Sequence, residues 1–512
     1  MKKINFTCCI FLMLFLGSCS PKKKEQTSKL PNVIFIYVDD LGYGDLSCYG
    51  ATAVKTPNVD ALATGGIQFT DAHCTASTCT PSRFSLLTGS YAFRNKAAIL
   101  QGDAPLIIDP DKETIADMFK NAGYSTAVIG KWHLGLGNGK PDWNKEIKPG
   151  PLEIGFDYSF LIPATPDRVP TVFVENHTVV NRDANDPIKV NYDKRIGTDP
   201  IGGEDEEILK MLADAQHSGT VINGISRIGY MSGGHNAYWK DEEFPNVLTN
   251  KATNFIASHT QKPFFLYFAL PDIHVPRAPN QRFVGSTNMG PRGDAIVQMD
   301  WVTGQIMKKL NELKIADNTI IVFSSDNGPV LDDGYADQAL TNIGNHKPSG
   351  KFKGGKYSAY EAGTRVPTIV YWPNKIRPAK NDALISQVDF FASFAKLIGA
   401  KINHKETAVD SFDMLDALLG KSNKGRQYLI EEAFTMSIRK GNWKYIAPKM
   451  QQPPLWLLNK NVDSGLQQQP QLYDLDKDPE EEHNLATQMP EKTKTLAIEL
   501  AAIMKAPNRN MK

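Results

Sequence analysis

The sequence has no apolar run long enough to cross a bilayer. Its most continuous N-terminal run, Cys8 to Leu16, falls well short of the length a spanning helix needs. Charge of one sign is equally scarce. Lys and Arg number 57 against 56 Asp and Glu, and a net charge of +1 gives no bulk attraction for nucleic acid. Any preference for anions must come from a local cluster of basic groups. Cysteine is sparse too, at 6 residues, and Cys8, Cys9 and Cys19 lie at the extreme N-terminus. Only Cys48, Cys74 and Cys79 are left for the folded body, which excludes a disulfide framework. Cys48 and Cys74 could still pair. Internal repeats are absent, and low complexity is confined to Gln467-Gln468-Gln469.

At 512 residues the chain exceeds one ordinary core, so a large domain with a smaller companion is expected. Lys2 and Lys3 precede the apolar run, which ends in Leu16-Gly17-Ser18-Cys19. That ending resembles a bacterial lipobox, so residues 1–18 read as a lipoprotein signal peptide and Cys19 as the lipid-modified residue. Residues 19–30 form a polar, Lys-rich tether. The protein is therefore expected to be exported and lipid-anchored, in the periplasm or at the outer membrane. The tether has no acidic run, which favours the periplasm. Membrane contact is through the lipid alone, and no nucleic-acid partner is expected.

Five apolar runs read as buried strands: Val33 to Val38, Thr126 to Ile129, Phe264 to Ala269, Thr319 to Phe323 and Pro367 to Tyr371. Near-continuous apolar runs suit a sheet covered on both faces. Helical patterns at Asn58 to Thr64, Glu113 to Ala122 and Asp294 to Leu313 alternate with them, the rhythm of an α/β fold. Residues 138–246 are rich in Pro, Gly, Asp and Asn and read as an elaborated region over the active edge. Beyond the amphipathic helix Asp389 to Ile398 the composition shifts. The predicted domains are 31–400 and a small α+β unit, 401–512, with a hairpin over Ser437 to Ile446 and a helix over Pro490 to Lys505.

Chemistry gathers behind the strands. The first run ends in Asp39-Asp40, the second in Gly130-Lys131-Trp132-His133, the third in Asp272-Ile273-His274 and the fourth in Asp326-Asn327. Ligands of open α/β sheets bind beyond the carboxyl ends of the strands. Asp39, Asp40, Asp326 and Asn327 offer only oxygen, which suits calcium or magnesium rather than zinc. Lys131, His133, Arg83 and Lys356 supply positive or proton-donating groups. His274, bracketed by Pro271 and Pro276, is held for acid–base work. In Cys79-Thr80-Pro81-Ser82-Arg83, Thr80 is expected to cap a helix that Pro81 opens and Gly89 ends, putting Cys79 at the helix mouth. A cysteine there is either a reactive group or a buried one.

The stretch from Cys79 to Arg83, with Leu87-Thr88-Gly89, resembles the signature of type I sulfatases of the alkaline phosphatase superfamily. The likeness extends to Asp39-Asp40, Gly130 to Gly135, His274-Val275-Pro276, Asp326-Asn327-Gly328, Gly355-Lys356, Glu361 and Gly363 to Pro367, and to Tyr473-Asp474-Leu475 in the tail; Ala362 departs from a frequent glycine. The resemblance implies an alkaline-phosphatase-like sandwich, a large and mostly parallel central sheet covered by helices, with the small C-terminal α+β subdomain attached. It also implies that a maturation enzyme oxidises Cys79 to formylglycine, whose hydrated form carries two hydroxyls. One binds Ca2+ (Mg2+ being the lesser choice) with Asp39, Asp40, Asp326 and Asn327. Attack on sulfur is then aided by Arg83, Lys131 and Lys356, which hold the sulfate oxygens, while His274 protonates the departing alcohol. His133 helps the second hydroxyl lose its proton, expelling sulfate and restoring the aldehyde.

A sulfated carbohydrate is the expected substrate. Pro141 to Asn144 and Val174 to His177 resemble gut-bacterial sulfatases acting on terminal 3-O-sulfated galactose of mucin-type glycans, in an exo manner. There the residue matching His177 reads the axial hydroxyl. Arg168, His235, Asp333 and His346 are further candidates for the sugar site. The alternatives are a 6-O-sulfatase on galactose, N-acetylgalactosamine or glycosaminoglycan sugars, a phosphonate or phosphodiester hydrolase of the same superfamily, and an inactive glycan-binding lipoprotein.

Overall fold

The computed structural model describes residues 30–402, 406–458 and 460–507. The signal peptide, Cys19 and nearly all of the tether lie outside the described residues. No helix among the described residues is long and apolar enough to cross a membrane.

Ten strands make the central sheet: β1 (Asn32–Val38), β2 (Ile67–Phe69), β3 (Ser125–Lys131), β4 (Tyr158–Ile162), β5 (Val174–Glu175), β6 (Thr178–Val179), β7 (Phe264–Ala269), β8 (Thr319–Ser325), β9 (Thr368–Tyr371) and β10 (Ala379–Asn381). Their spatial order is β10-β2-β9-β8-β1-β7-β3-β4-β5-β6. The inner strands β8, β1, β7, β3 and β4 run parallel, while β9 pairs antiparallel with β8 and β2. The pleat of β1 sends alternate residues to two cores. Val33, Phe35 and Tyr37 pack under α2 (Cys79–Thr88), α3 (Ile115–Asn121) and α6 (Phe390–Ile398). Ile34, Ile36 and Val38 pack under α1 (Pro57–Gly65), α4 (Phe244–Ser258) and α5 (Pro291–Glu312). Helices on both faces therefore account for the unbroken apolar runs, and the α/β sandwich expected from them is present.

A separate four-stranded antiparallel sheet holds β11 (Leu429–Glu432), β12 (Met436–Lys440), β13 (Trp443–Ile446) and β14 (Gln471–Asp474). It packs with α7 (Pro490–Lys505). Its first strand grips the segment that leads into Cys79. Glu432 donates its N–H to the Thr75 carbonyl at 3.0 Å and accepts from Ser77 N–H at 2.9 Å.

Behind that grip lies a buried ion cluster. Lys444 is fully buried within 3.2 Å of Glu361, 3.3 Å of Glu431 and 3.7 Å of Glu481. Arg365 and Arg439 also reach Glu361, and His73 sits among Asp71, Glu361 and Glu431. Burial pushes Glu481 up to about 8. Burial opposes the charge on Glu361 as well, yet Lys444, Arg365 and Arg439 outweigh it and hold that carboxyl well below its usual range. Cys48 and Cys74 are both free thiols, and Cys74 donates to the carbonyls of Ala76 and Thr364, so this pair forms no disulfide. Lys444→Met should lower the unfolding free energy by about 3–5 kcal/mol in urea denaturation, because it leaves buried carboxylates without their shared cation.

Candidate active site

The neighbours β8, β1, β7 and β3 end side by side, and each delivers chemistry at its carboxyl end. Asp39 donates its N–H to the Asp272 carbonyl at 2.8 Å, and Asp326 donates to the Val38 carbonyl at 3.0 Å. These backbone bonds hold the turns of three strands together. Gly130 is required by close approach: at φ +111°, a Cβ there would lie 1.8 Å from the Ala269 carbonyl oxygen. Its freedom lets Lys131 leave the sheet edge pointing inward.

Helix α2 begins at Cys79 itself, two residues earlier than the capping pattern suggests. Thr78, in extended conformation, stands at the N-cap, and the Thr80 hydroxyl instead donates to the His133 carbonyl at 3.0 Å. Tertiary bonding takes Thr80 away from the capping role its side chain could fill locally. The expected stop holds, since Gly89 adopts φ +64° and ends the helix. Every residue of α2 is buried. The Cys79 sulfur lies 3.7 Å from Asp39 Oδ1. One turn on, Arg83 donates through Nε to Asp326 Oδ2 at 2.9 Å, and its guanidinium lies 5.2 Å from the centre of the Tyr37 ring.

The remaining cations and histidines converge on the same carboxylates. Lys131 Nζ is 2.5 Å from Asp39, and Lys356 Nζ is 2.8 Å from both Asp40 and Asp333. His274 Nδ1 bonds the Val275 carbonyl at 2.6 Å, which turns Nε2 inward, 3.9 Å from Asp40. His133 Nε2 bonds the Leu100 carbonyl at 3.0 Å, so in the neutral ring it carries the proton. Its Nδ1 is buried and has no partner. All the expected core residues, Asp39, Asp40, Cys79, Arg83, Lys131, His133, His274, Asp326, Asn327 and Lys356, meet in one place.

Electrostatics distinguish the groups. Burial pushes the Cys79 thiol well up, and nearby Asp326 and Asp39 add to it despite Lys131. The sulfur is thus a protonated thiol, not an activated thiolate. Burial also opposes ionisation of Asp326, but Arg83 and Lys131 prevail and hold it at about 2. Both histidines are pulled well below the ordinary range by burial, with Lys131 adding at His133 and Lys356 at His274, which keeps them neutral.

The donor set fits a hard divalent cation. Asp39, Asp40, Cys79 and His274 each place a potential ligand atom within 4.8 Å of the others. Asn327 supplies an independent sign: its Nδ2 donates to Asp40 at 2.7 Å and to Gly328, while its buried Oδ1 has no hydrogen-bond partner. An unpartnered buried amide oxygen on a side chain bonded to Asp40 is what an oxygen-ligated cation would engage.

Next to these groups lies a cavity of about 240 Å³, bordered by Leu100, Asp167, Arg168, His217, Asp333 and Tyr357 among others. Two of the five expected sugar-site residues, Arg168 and Asp333, are therefore present. The other three are not. His177 follows β5, which pairs antiparallel with β4, so the turn carries it toward the amino-terminal half of β4 and away from the site; its Nε2 bonds Glu153 at 3.0 Å. His235 is exposed and bonded to Asp186 and Asp199. His346 is buried against Asp45, which also binds Arg292.

Asp167 and His217 belong to the cavity but were not singled out by sequence. Asp167 follows β4, whose apolar run Tyr158 to Ile162 is a further strand with Asp167-Arg168 beyond its carboxyl end. That pattern was available as a signal. His217 has none, since it arrives on a loop and is fixed by Asp214 at 2.7 Å and Asp167 at 3.4 Å. Burial lowers His217, but those two carboxylates outweigh it and raise its pKa.

Comparison with known proteins accords with this geometry. The sulfatase family model matches residues 31–400. The chain is 51% identical to an N-acetylgalactosamine-6-O-sulfatase of Bacteroides thetaiotaomicron, over 95% of this chain and 96% of that one. It is 30% identical to human arylsulfatase A, over 89% of this chain and 83% of the relative. A solved structure described with the metabolism of multiple glycosaminoglycans by Bacteroides thetaiotaomicron superposes with a TM-score of 0.91 at 51% identity, covering 94% of this chain and 100% of that one. By the family match over residues 31–400 and this near-full-length identity, the chain belongs to the sulfatase family, hydrolases of sulfate esters.

Proposed function

We propose that this protein removes a 6-O-sulfate from a terminal N-acetylgalactosamine or galactose of a glycan. The observation that carries the sugar assignment is its near-full-length similarity to an N-acetylgalactosamine-6-O-sulfatase. The depth of the site supports it. Asp39, Arg83 and Lys131 have no solvent exposure, and a 6-sulfate, standing off the ring on a methylene, reaches such a site while the ring stays in the outer cavity. The 3-O-galactose expectation rested on His177, which lies away from that cavity. The N-terminal lipobox likeness supports an exported, lipid-anchored enzyme.

In this reading Asp39, Asp40, Asp326 and Asn327 would hold a hard divalent cation, calcium before magnesium as the family resemblance implies, which would offset the carboxylates and polarise sulfate oxygens. Formylglycine made from Cys79 supplies an oxygen nucleophile at the mouth of α2. The chain's own residues do the rest. Arg83, Lys131 and Lys356, fixed by their carboxylates, present donors to the sulfate oxygens without reorganising at the moment of reaction. His274 points Nε2 into the site; with Nδ1–H given to the Val275 carbonyl, this nitrogen must first take up a proton, which it then passes to the departing sugar oxygen. His133, with Nε2 committed to Leu100, offers Nδ1 to take a proton from the nucleophile residue. Arg168, steadied by Asp167 at 2.9 Å, and His217 border the cavity and are placed to bond sugar hydroxyls.

A panel of defined sulfated sugars tests the assignment. Release of sulfate from 6-O-sulfated N-acetylgalactosamine should exceed that from 3-O-sulfated galactose by about a hundredfold or more in kcat/KM, and the reverse order would refute it. The metal site has its own test. Asn327→Ala should lower the bound divalent cation measured by elemental analysis and weaken calcium affinity by about tenfold or more.

A further inference from the structure

The cavity assigned to the sulfated sugar continues beyond its own walls. Tyr192, Gln216 and Ile228 border it on one side and also border a second cleft of about 380 Å³. That cleft opens outward past Gly203, Glu204, Ser218 and Tyr230. Its lining combines two tyrosine rings and two isoleucines with hydroxyl, amide and glycine backbone groups, a mixture suited to the apolar faces and polar edges of a pyranose. Among its lining residues Glu204 is the one acidic side chain and none is basic. The Glu204 carboxylate is already paired with Arg195 at 2.7 Å. An anionic sugar entering this cleft would meet a carboxylate and gain no cation of its own.

We propose that this cleft is a second saccharide subsite, which takes a neutral sugar attached at the anomeric oxygen of the sulfated residue. The proposal rests on the sulfatase assignment above and deepens it: the preferred substrate is an oligosaccharide whose second unit is uncharged. Chain continuity requires the two volumes to adjoin, and the three shared residues form that junction. Tyr192 is well placed to define it, because its hydroxyl accepts from Gly102 N–H at 2.8 Å and donates to the Val169 carbonyl, fixing the ring between the two spaces.

Gly203 provides the test. A Cβ there meets nothing closer than the Ser218 Cβ at 3.8 Å, so the backbone accepts a side chain and Gly203→Trp fills the cleft from its rim. Three substrates are compared: 6-O-sulfated N-acetylgalactosamine alone, the same sugar linked to a neutral hexose, and the same sugar linked to a hexuronic acid. The neutral disaccharide should exceed the monosaccharide by about tenfold in kcat/KM, the uronate should show no such gain, and Gly203→Trp should bring the neutral ratio to about one. Equal rates on all three in the unsubstituted enzyme, a larger gain with the uronate, or a ratio unmoved by Gly203→Trp would overturn the proposal. Failure to hydrolyse any of the three would count against the sugar assignment instead, and the same ratios would then be read from calorimetric affinities of the three saccharides.

Discussion

Three carboxylates with no solvent exposure, Asp39, Asp40 and Asp326, stand together at the ends of adjacent strands. Placing like charges in a dry site is costly unless each is matched by cations and hydrogen bonds. The rest of the centre answers that constraint. Arg83 comes from a helix, Lys131 from the next strand but one, and Lys356 from a loop, and each binds a different carboxylate. The same three cations are what a sulfate group needs. A cation held by the carboxylates and Asn327 would leave Arg83, Lys131 and Lys356 positioned by their partners and directed at an anion.

The C-terminal sheet takes part in that order. Glu432 holds the backbone on both sides of Ala76, three residues before Cys79, and Tyr357, next to Lys356, donates its N–H to the Ser77 carbonyl at 2.8 Å. The segment leading into Cys79 and the loop carrying Lys356 are thus tied to each other and to the small domain. Buried pairing of Lys444 with Glu361 joins that domain to the central one, beside the segment that leads into α2.

Much of this is legible in the residues because both patterns are local. Apolar runs marked β1, β3, β7, β8 and β9, and in an α/β fold the residues just past each run are placed by topology alone. The sugar site was less legible. Asp167, Arg168 and His217 arrive on the irregular segment between β4 and α4, where position depends on long-range bonds such as those from His217 to Asp167 and Asp214. His177 illustrates the difficulty: its motif was plain, but one antiparallel reversal after β4 carried it away from the site. Thr80 shows the same override on a smaller scale, where a bond to His133 displaced a capping role that its side chain could fill.

In the proposed reaction Cys79, whose thiol is held protonated by burial and by nearby Asp326 and Asp39, is the precursor of an oxygen nucleophile. Mass spectrometry of the proteolytic peptide spanning Cys79, from active protein made with its maturation enzyme, tests this most directly. The account predicts an aldehyde at residue 79, trapped by hydrazine reagents, in proportion to activity. Fully active protein whose peptide retained an unmodified thiol would contradict it.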